Sequence, residues 1–189
     1  MQKAVFLDRD GTIIEDVGYL SDLCQIRILP GAVEAIRLLN SNGFKVIIVT
    51  NQAGVAKGHL SERKLQEINA MLMETMSDQG AHVEKIYYCP HHIEGTIEEY
   101  KKECSWRKPN PGMLKEAARE YDIDTANSFM VGDKTSDIEA GQRAGCRTIV
   151  VGTGITHQEL EMLSQPADHV AADVFEAVKW LLHLNGRSI

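Results

Sequence analysis

The sequence contains no apolar run long enough to span a bilayer, so no transmembrane segment is expected. It also lacks an excess of basic residues. Its 20 Lys and Arg stand against 27 Asp and Glu, a formal charge of -7 that would repel a nucleic-acid backbone unless the cations were gathered on one face. No such stripe is present, and neither nucleic acid nor membrane is expected as a partner. The apolar stretch near Met1, Ala4 to Leu7, is stopped by Asp8 and is too short for the core of a signal peptide. Cysteine is scarce: Cys24, Cys89, Cys104 and Cys146 in a chain without an export signal read as reduced thiols or metal ligands rather than disulfides. These absences place the chain in the cytoplasm. Internal repeats, low-complexity tracts and domain-separating linkers are missing too, so 189 residues with 43% apolar content are expected to form one domain over 1–189, acting as a monomer.

What the sequence does contain is an alternation of short apolar runs with segments of helical period, the pattern of a parallel sheet covered by helices on both faces. Strands are expected at Ala4–Leu7, Val46–Val49, Val83–Tyr88, Phe129–Val131 and Thr148–Val151. Pro30-Gly31 opens a helix whose Val33, Ile36 and Leu39 share a face, and Asn42-Gly43 ends it. Ser61 caps a second, with Leu65, Ile68, Leu72 and Met76 as its apolar stripe. Further helices follow Pro111, surround Ile138–Ala144 and close the chain at Val174–Leu184. The stretch from His91 to Lys108 fits neither period and is expected to be an ordered loop.

In parallel α/β sheets ligands bind beyond the carboxyl ends of the strands, and polar residues gather there. The first strand is followed by Asp8-Arg9-Asp10-Gly11-Thr12, the second by Thr50-Asn51-Gln52, the fourth by Gly132-Asp133-Lys134, and Arg107-Lys108 precedes the Pro111 helix. Carboxylates, a hydroxyl and ammonium groups together form a kit for phosphoryl transfer. Asp8 and Asp10, two apart in extended chain, can face one centre while Arg9 faces away. Two close carboxylates repel, which favours a proton on one or a cation between them. Asp133 is a natural further ligand for Mg2+, a hard cation that takes oxygen donors. Asp137, one turn on, could hold a metal-bound water or Lys134, or be a solvated acid of the first helical turn. Thr50, Asn51, Lys108 and Lys134 are candidate phosphate-binding residues.

These segments match the haloacid dehalogenase superfamily of phosphatases, which the sequence resembles with its four motifs in order. V-T-N-Q-A-G-V-A-K-G, Y-Y-C-P-H-H, R-K-P-N-P-G-M-L and M-V-G-D-K-T-S-D look like the heptose bisphosphate phosphatases of that superfamily, with histidinol-phosphate phosphatases as near relatives. The resemblance implies Asp8 as nucleophile, Asp10 as general acid and base, and Thr50, Asn51 and Lys108 around the phosphoryl group. It implies Mg2+ on Asp8, the Asp10 backbone carbonyl and Asp133, and Arg107 on the phosphate that is not cleaved. A Rossmann-like fold without a cap domain is expected, because both intervals that could carry a cap are already filled. Gly18-Tyr19, Gly54 to Gly58 and Arg107 are then left to select a small phosphorylated sugar, with Lys57 a weaker candidate.

One departure concerns a zinc loop. Relatives carry C-x-H followed by C-x-C; here Cys89 and His91 fit, while Cys104-Ser105-Trp106 puts an indole where the last ligand belongs. Three residues of a site for Zn2+ remain, and His92, a water, or packing in place of the metal could complete the loop. Cys24 and Cys146 look structural. The rival to an enzyme is an idle binding module, against which the intact Asp8, Asp10, Lys108 and Asp133 argue.

Overall fold

Ala4, Val5, Phe6 and Leu7 are all buried, as a central strand covered on both faces requires. The computed structural model describes residues 1–152, 156–161 and 163–186. In chain order these form β1 (Ala4–Leu7), α1 (Ala32–Ser41), β2 (Lys45–Asn51), α2 (Ala53–Ala56), α3 (Glu62–Asp78), β3 (Lys85–Cys89) and α4 (Gly112–Glu120). There follow β4 (Phe129–Gly132), α5 (Thr135–Ala144), β5 (Arg147–Val151), α6 (His157–Glu161), β6 (His169–Ala171) and α7 (Val174–Leu184). Every strand pairing is parallel, in the order β3-β2-β1-β4-β5-β6.

Period-two alternation divides the sheet's side chains between two cores. Val5, Leu7, Val46, Ile48 and Val131 face α1, α3 and α7, whereas Phe6, Ile47, Val49, Tyr87 and Met130 face α4 and α5. The expected arrangement of helices on both faces is thus observed. Ser61 caps α3 by accepting the Lys64 N–H, and α7 runs over the expected residues behind an Asp173 cap. No helix of the described residues is long and apolar enough to cross a membrane.

Three expectations need correcting. The third strand starts at Lys85 and reaches Cys89, because its pairing with β2 runs from Ile47 opposite Lys85 to Asn51 opposite Cys89. For the same reason Thr50 and Asn51 belong to the end of β2 rather than following it. The strand β6 escaped the sequence reading: it has three residues, of which only Ala171 is buried, too few for a periodic signal.

The helix α5 lies close to the sheet at Gly141, where a Cβ would come 2.6 Å from the Met130 Cβ and 2.7 Å from the Thr148 Cγ2. Gly141→Val should therefore overpack this contact and lower stability by about 2 kcal/mol in urea denaturation.

Candidate active site

The strands β1, β2 and β4 end side by side and deliver their polar successors to one place. Asp8 is fixed by its own N–H donating to the Val131 carbonyl at 2.9 Å. Its Oδ1 accepts from Lys108 Nζ at 2.6 Å, and both side chains are almost fully buried. Lys108 Nζ also donates to the Val49 carbonyl at 2.7 Å and pairs with Asp137 Oδ1 at 2.6 Å. Burial alone would lower the lysine's pKa, but Asp137 and Asp8 outweigh it and raise the value above normal. Asp8 is pushed up by burial and by Asp137, against the pull of Lys108.

Asn51 sets the lysine's position. Its amide donates to the Lys108 carbonyl and accepts the Lys108 N–H, each at 3.0 Å, so the side chain expected at the phosphoryl group is engaged with the backbone of Lys108 instead. Asp137 is no solvated acid, since it is 1% exposed. Nor does it hold the Lys134 ammonium: its Oδ2 caps α5 through the Lys134 backbone N–H at 3.1 Å, and its Oδ1 meets Lys108. Gly132 leaves room for this, because a Cβ there would lie 2.4 Å from Asp137 Cβ and Oδ2. The Lys134 ammonium turns outward to Asp16 at 2.8 Å. It lines a cavity with Gly11, Asp16 and Asp133, at the rim of the site.

Asp133 is buried, its Oδ1 has no hydrogen-bond partner among the described residues, and burial together with Asp8 and Asp137 raises its pKa to about 7. Asp8, Asp133 and Asp137 can bring carboxylate oxygens within 4.8 Å of one another. An unpartnered buried oxygen within an all-oxygen cluster fits a hard divalent cation such as Mg2+. The Asp10 carboxylate is not part of this group. It accepts from Arg9, from Gln52 Nε2 at 2.7 Å and from the Thr50 hydroxyl at 3.4 Å. Arg9 was expected to face away; its guanidinium instead folds back onto Asp10.

A second cluster lies at the end of β3, where Cys89, His91 and Cys104 can bring their ligand atoms within 4.8 Å of one another. Burial raises the Cys89 thiol to about 12 and lowers the His91 imidazole. Trp106 stacks edge-on against Tyr87, centroids 5.8 Å apart, among the side chains of the second core. His92 accepts the Glu94 N–H on its Nδ1 and is not among the clustered ligands. Half-buried Arg107 donates to the His91 carbonyl at 3.2 Å. Tyr19 stacks on His59 at 4.0 Å with Lys57 over its ring, so the loops expected to select substrate do meet one another.

Gln52 stood among the polar residues after the second strand without a role, and Asn69 was missed. A buried polar Asn69 beside Leu65, Ile68 and Leu72 on the apolar face of α3 was the available signal.

Residues 5–80 match a family model described as haloacid dehalogenase-like hydrolase, and residues 105–177 match one described as HAD-hydrolase-like. A D-glycero-beta-D-manno-heptose-1,7-bisphosphate 7-phosphatase of Pasteurella multocida is 44% identical over 82% of this chain and 84% of its own. The chain belongs to the haloacid dehalogenase-like hydrolases. The corresponding Escherichia coli (strain K12) protein is 39% identical over 93% of each chain. A crystal structure of D,D-heptose 1,7-bisphosphate phosphatase from B. bronchiseptica, complexed with magnesium and phosphate, matches with TM-score 0.85. That match has 31% identity and covers 96% of this chain and 99% of the other.

In this haloacid dehalogenase-like hydrolase, Lys108→Met would leave Asp8 and Asp137 buried without their ammonium, at a cost of about 3–5 kcal/mol in urea denaturation. Burial already raises the folded-state pKa of Asp8 above its unfolded value, and losing Lys108 removes the pull that opposes this rise. The folded state binds more protons in that window, so the variant should regain stability as pH falls from neutral toward about 4. Denaturation curves at pH 7 and pH 5 check the sign.

Proposed function

We propose that this chain is a magnesium-dependent phosphatase that removes the 7-phosphate of D-glycero-D-manno-heptose 1,7-bisphosphate through a phosphoryl-enzyme on Asp8. The observation that carries the reading is the buried Asp8 carboxylate, held at 2.6 Å by Lys108 beside the unpartnered Asp133 oxygen. The substrate is drawn from the names of relatives 38–44% identical to this chain.

The residues divide the work as follows. Asp8 attacks phosphorus and its bond to the phosphoryl group forms as the bond to the sugar oxygen breaks. A sugar alkoxide leaves poorly, so Asp10 supplies the proton that makes it an alcohol. Asp10 then takes a proton from the water that cleaves the acyl phosphate, releasing phosphate and restoring Asp8. Lys108 offsets the phosphoryl charge, and the Thr50 hydroxyl orients its oxygens. Asp8, the Asp10 carbonyl and Asp133 would hold Mg2+, with Asp137 close by; when bound, the ion neutralises charge developing on the phosphoryl oxygens.

Arg107 supports the choice of a bisphosphate. Arg107 and Lys57 each place positive charge in range of His92, adding to the burial that lowers its pKa, so two cations on neighbouring loops are available to a second phosphate. We also propose that the chain works as a monomer in the cytoplasm, which light scattering on the purified protein tests for the first part.

Asp8→Asn should lower turnover at least about 10³-fold with the fold intact, and chelation of magnesium should stop the wild type. Wild-type-like turnover in either case would remove the assignment. Heptose bisphosphate and histidinol phosphate assayed side by side separate the two substrate readings. Arg107→Ala should cut kcat/KM for the bisphosphate about 10- to 100-fold, as for a lost charge-assisted hydrogen bond. A sugar monophosphate should suffer far less; equal losses would place Arg107 at the reaction centre.

For Cys89, His91 and Cys104 we propose a structural zinc bound more weakly than at a four-ligand site. Two sulfurs and an imidazole suit zinc, but Trp106 supplies no fourth donor and the high Cys89 pKa adds a cost of deprotonation. Protein purified without added zinc should lose the metal to mild chelation with little change in Tm, because Trp106 and Tyr87 already anchor the loop. Trp106→Cys should retain zinc. Stoichiometric zinc that resists chelation in the wild type would refute the weakened site.

A further inference from the structure

The proposed chemistry assigns no task to the most deeply buried cation near the site. Arg9 is 1% exposed, at the start of the loop that follows β1. Its Nη1 donates to Asn69 Oδ1 at 2.8 Å, which anchors the far end of the guanidinium to α3. Its Nε and Nη2 donate to Asp10 Oδ1 at 3.2 and 3.0 Å, and Nη2 also reaches Oδ2 at 3.0 Å. As a device for stability this is a poor one, since desolvating a guanidinium costs several kcal/mol and an apolar side chain of similar volume often serves as well. What a planar fork with two anchors does provide is a fixed carboxylate orientation.

The two Asp10 oxygens have different company. Oδ1 accepts only from Arg9 among the hydrogen bonds of the described residues. Oδ2 also faces Gln52 Nε2 at 2.7 Å and the Thr50 hydroxyl at 3.4 Å, and Gln52 Nε2 bridges to Thr50 Oγ1 at 2.8 Å. Thr50 is a proposed ligand of the phosphoryl group, so an arriving phosphate competes with Oδ2 for its hydroxyl. Once Thr50 turns to phosphate, Arg9 remains the one holder of Oδ1 among the described residues, with Gln52 on Oδ2.

We propose that Arg9 is a positioning residue that, braced on Asn69, holds Asp10 Oδ1 and keeps Oδ2 turned toward the reaction centre for proton transfer to the leaving oxygen. The inference rests on the phosphatase reading above. In the step it serves, the Asp10 Oδ2–H bond breaks and the proton goes to the sugar oxygen, as the phosphorus bond to that oxygen breaks and the bond to Asp8 forms.

The test exploits the leaving group. A p-nitrophenolate leaves without protonation, whereas an alkoxide does not, and kcat/KM reports steps only up to the first irreversible departure. Arg9→Gln should lower kcat/KM for the alkyl phosphate the wild type cleaves best by about 10²-fold, within the range of a lost general acid. The loss on p-nitrophenyl phosphate should be at least about tenfold smaller. Arg9→Lys, with the charge but no fork, should fall between wild type and Arg9→Gln. Equal losses on both substrates, or none on either, would overturn the proposal. Should Arg9→Gln fail to fold, Asn69→Ala, which removes only the brace, carries the test: a smaller split in the same direction upholds it, and no split overturns it. Failure of the underlying reading shows separately, as Asp8→Asn retaining activity on both substrates.

Discussion

The Lys108 ammonium stands where three demands meet: it bonds the Asp8 carboxylate and the Val49 carbonyl and pairs with Asp137, all within 2.7 Å. Each of these partners comes from a different strand end or helix start, so the lysine ties β1, β2 and the first turn of α5 together at the top of the sheet. Its own backbone must be placed with equal care, and Asn51 does this from the last residue of β2 through two hydrogen bonds. The order of the sheet is what makes such a junction available. With β2 and β4 on either side of β1, three parallel strands end together, and short polar turns suffice to bring their side chains into contact.

Glycine at two positions permits the close approach of carboxylates that this junction needs. Gly11 adopts a φ of +85°, and a Cβ there would fall 2.2 Å from Asp133 Oδ2. Gly132 makes the same room for Asp137. In both cases the space of a methyl group is occupied by an acid that would otherwise be held away from its neighbours. The motif glycines therefore act on charge density as much as on chain direction.

Much of this was legible in the sequence because the signals were local. The run Ala4–Leu7 ended by Asp8, the Ser61 cap, and the apolar stripe of α3 each follow from periods and caps within a few residues. Acidic residues after β1 and β4 could be assigned to one centre from strand logic alone. What was not legible depended on side chains meeting across long sequence separations. Nothing local says that Asn51 pairs with the backbone of a residue 57 positions on, or that Arg9 turns back to Asp10 and reaches Asn69 on α3. β1 ends at Leu7, so Asp8, Arg9 and Asp10 all lie beyond it and their directions are not bound by strand alternation. β6 failed for the opposite reason: three residues carry too little pattern to be read at all.

The electrostatics of the site lead to its ligand. Three buried carboxylates, Asp8, Asp133 and Asp137, face one buried ammonium, and burial first, then the neighbouring carboxylates, raises the pKa values of Asp8 and Asp133. A phosphate ester would add further negative charge to that surplus, in a setting where burial strengthens every unscreened repulsion. Such a site can admit its substrate only together with positive charge. The ammonium of Lys134, at the rim, is drawn outward to Asp16. A divalent ion held at Asp133, as proposed above, would offset the imbalance and leave Lys108 its bond to Asp8. The acidic surplus would then couple the binding of phosphate to that of the cation.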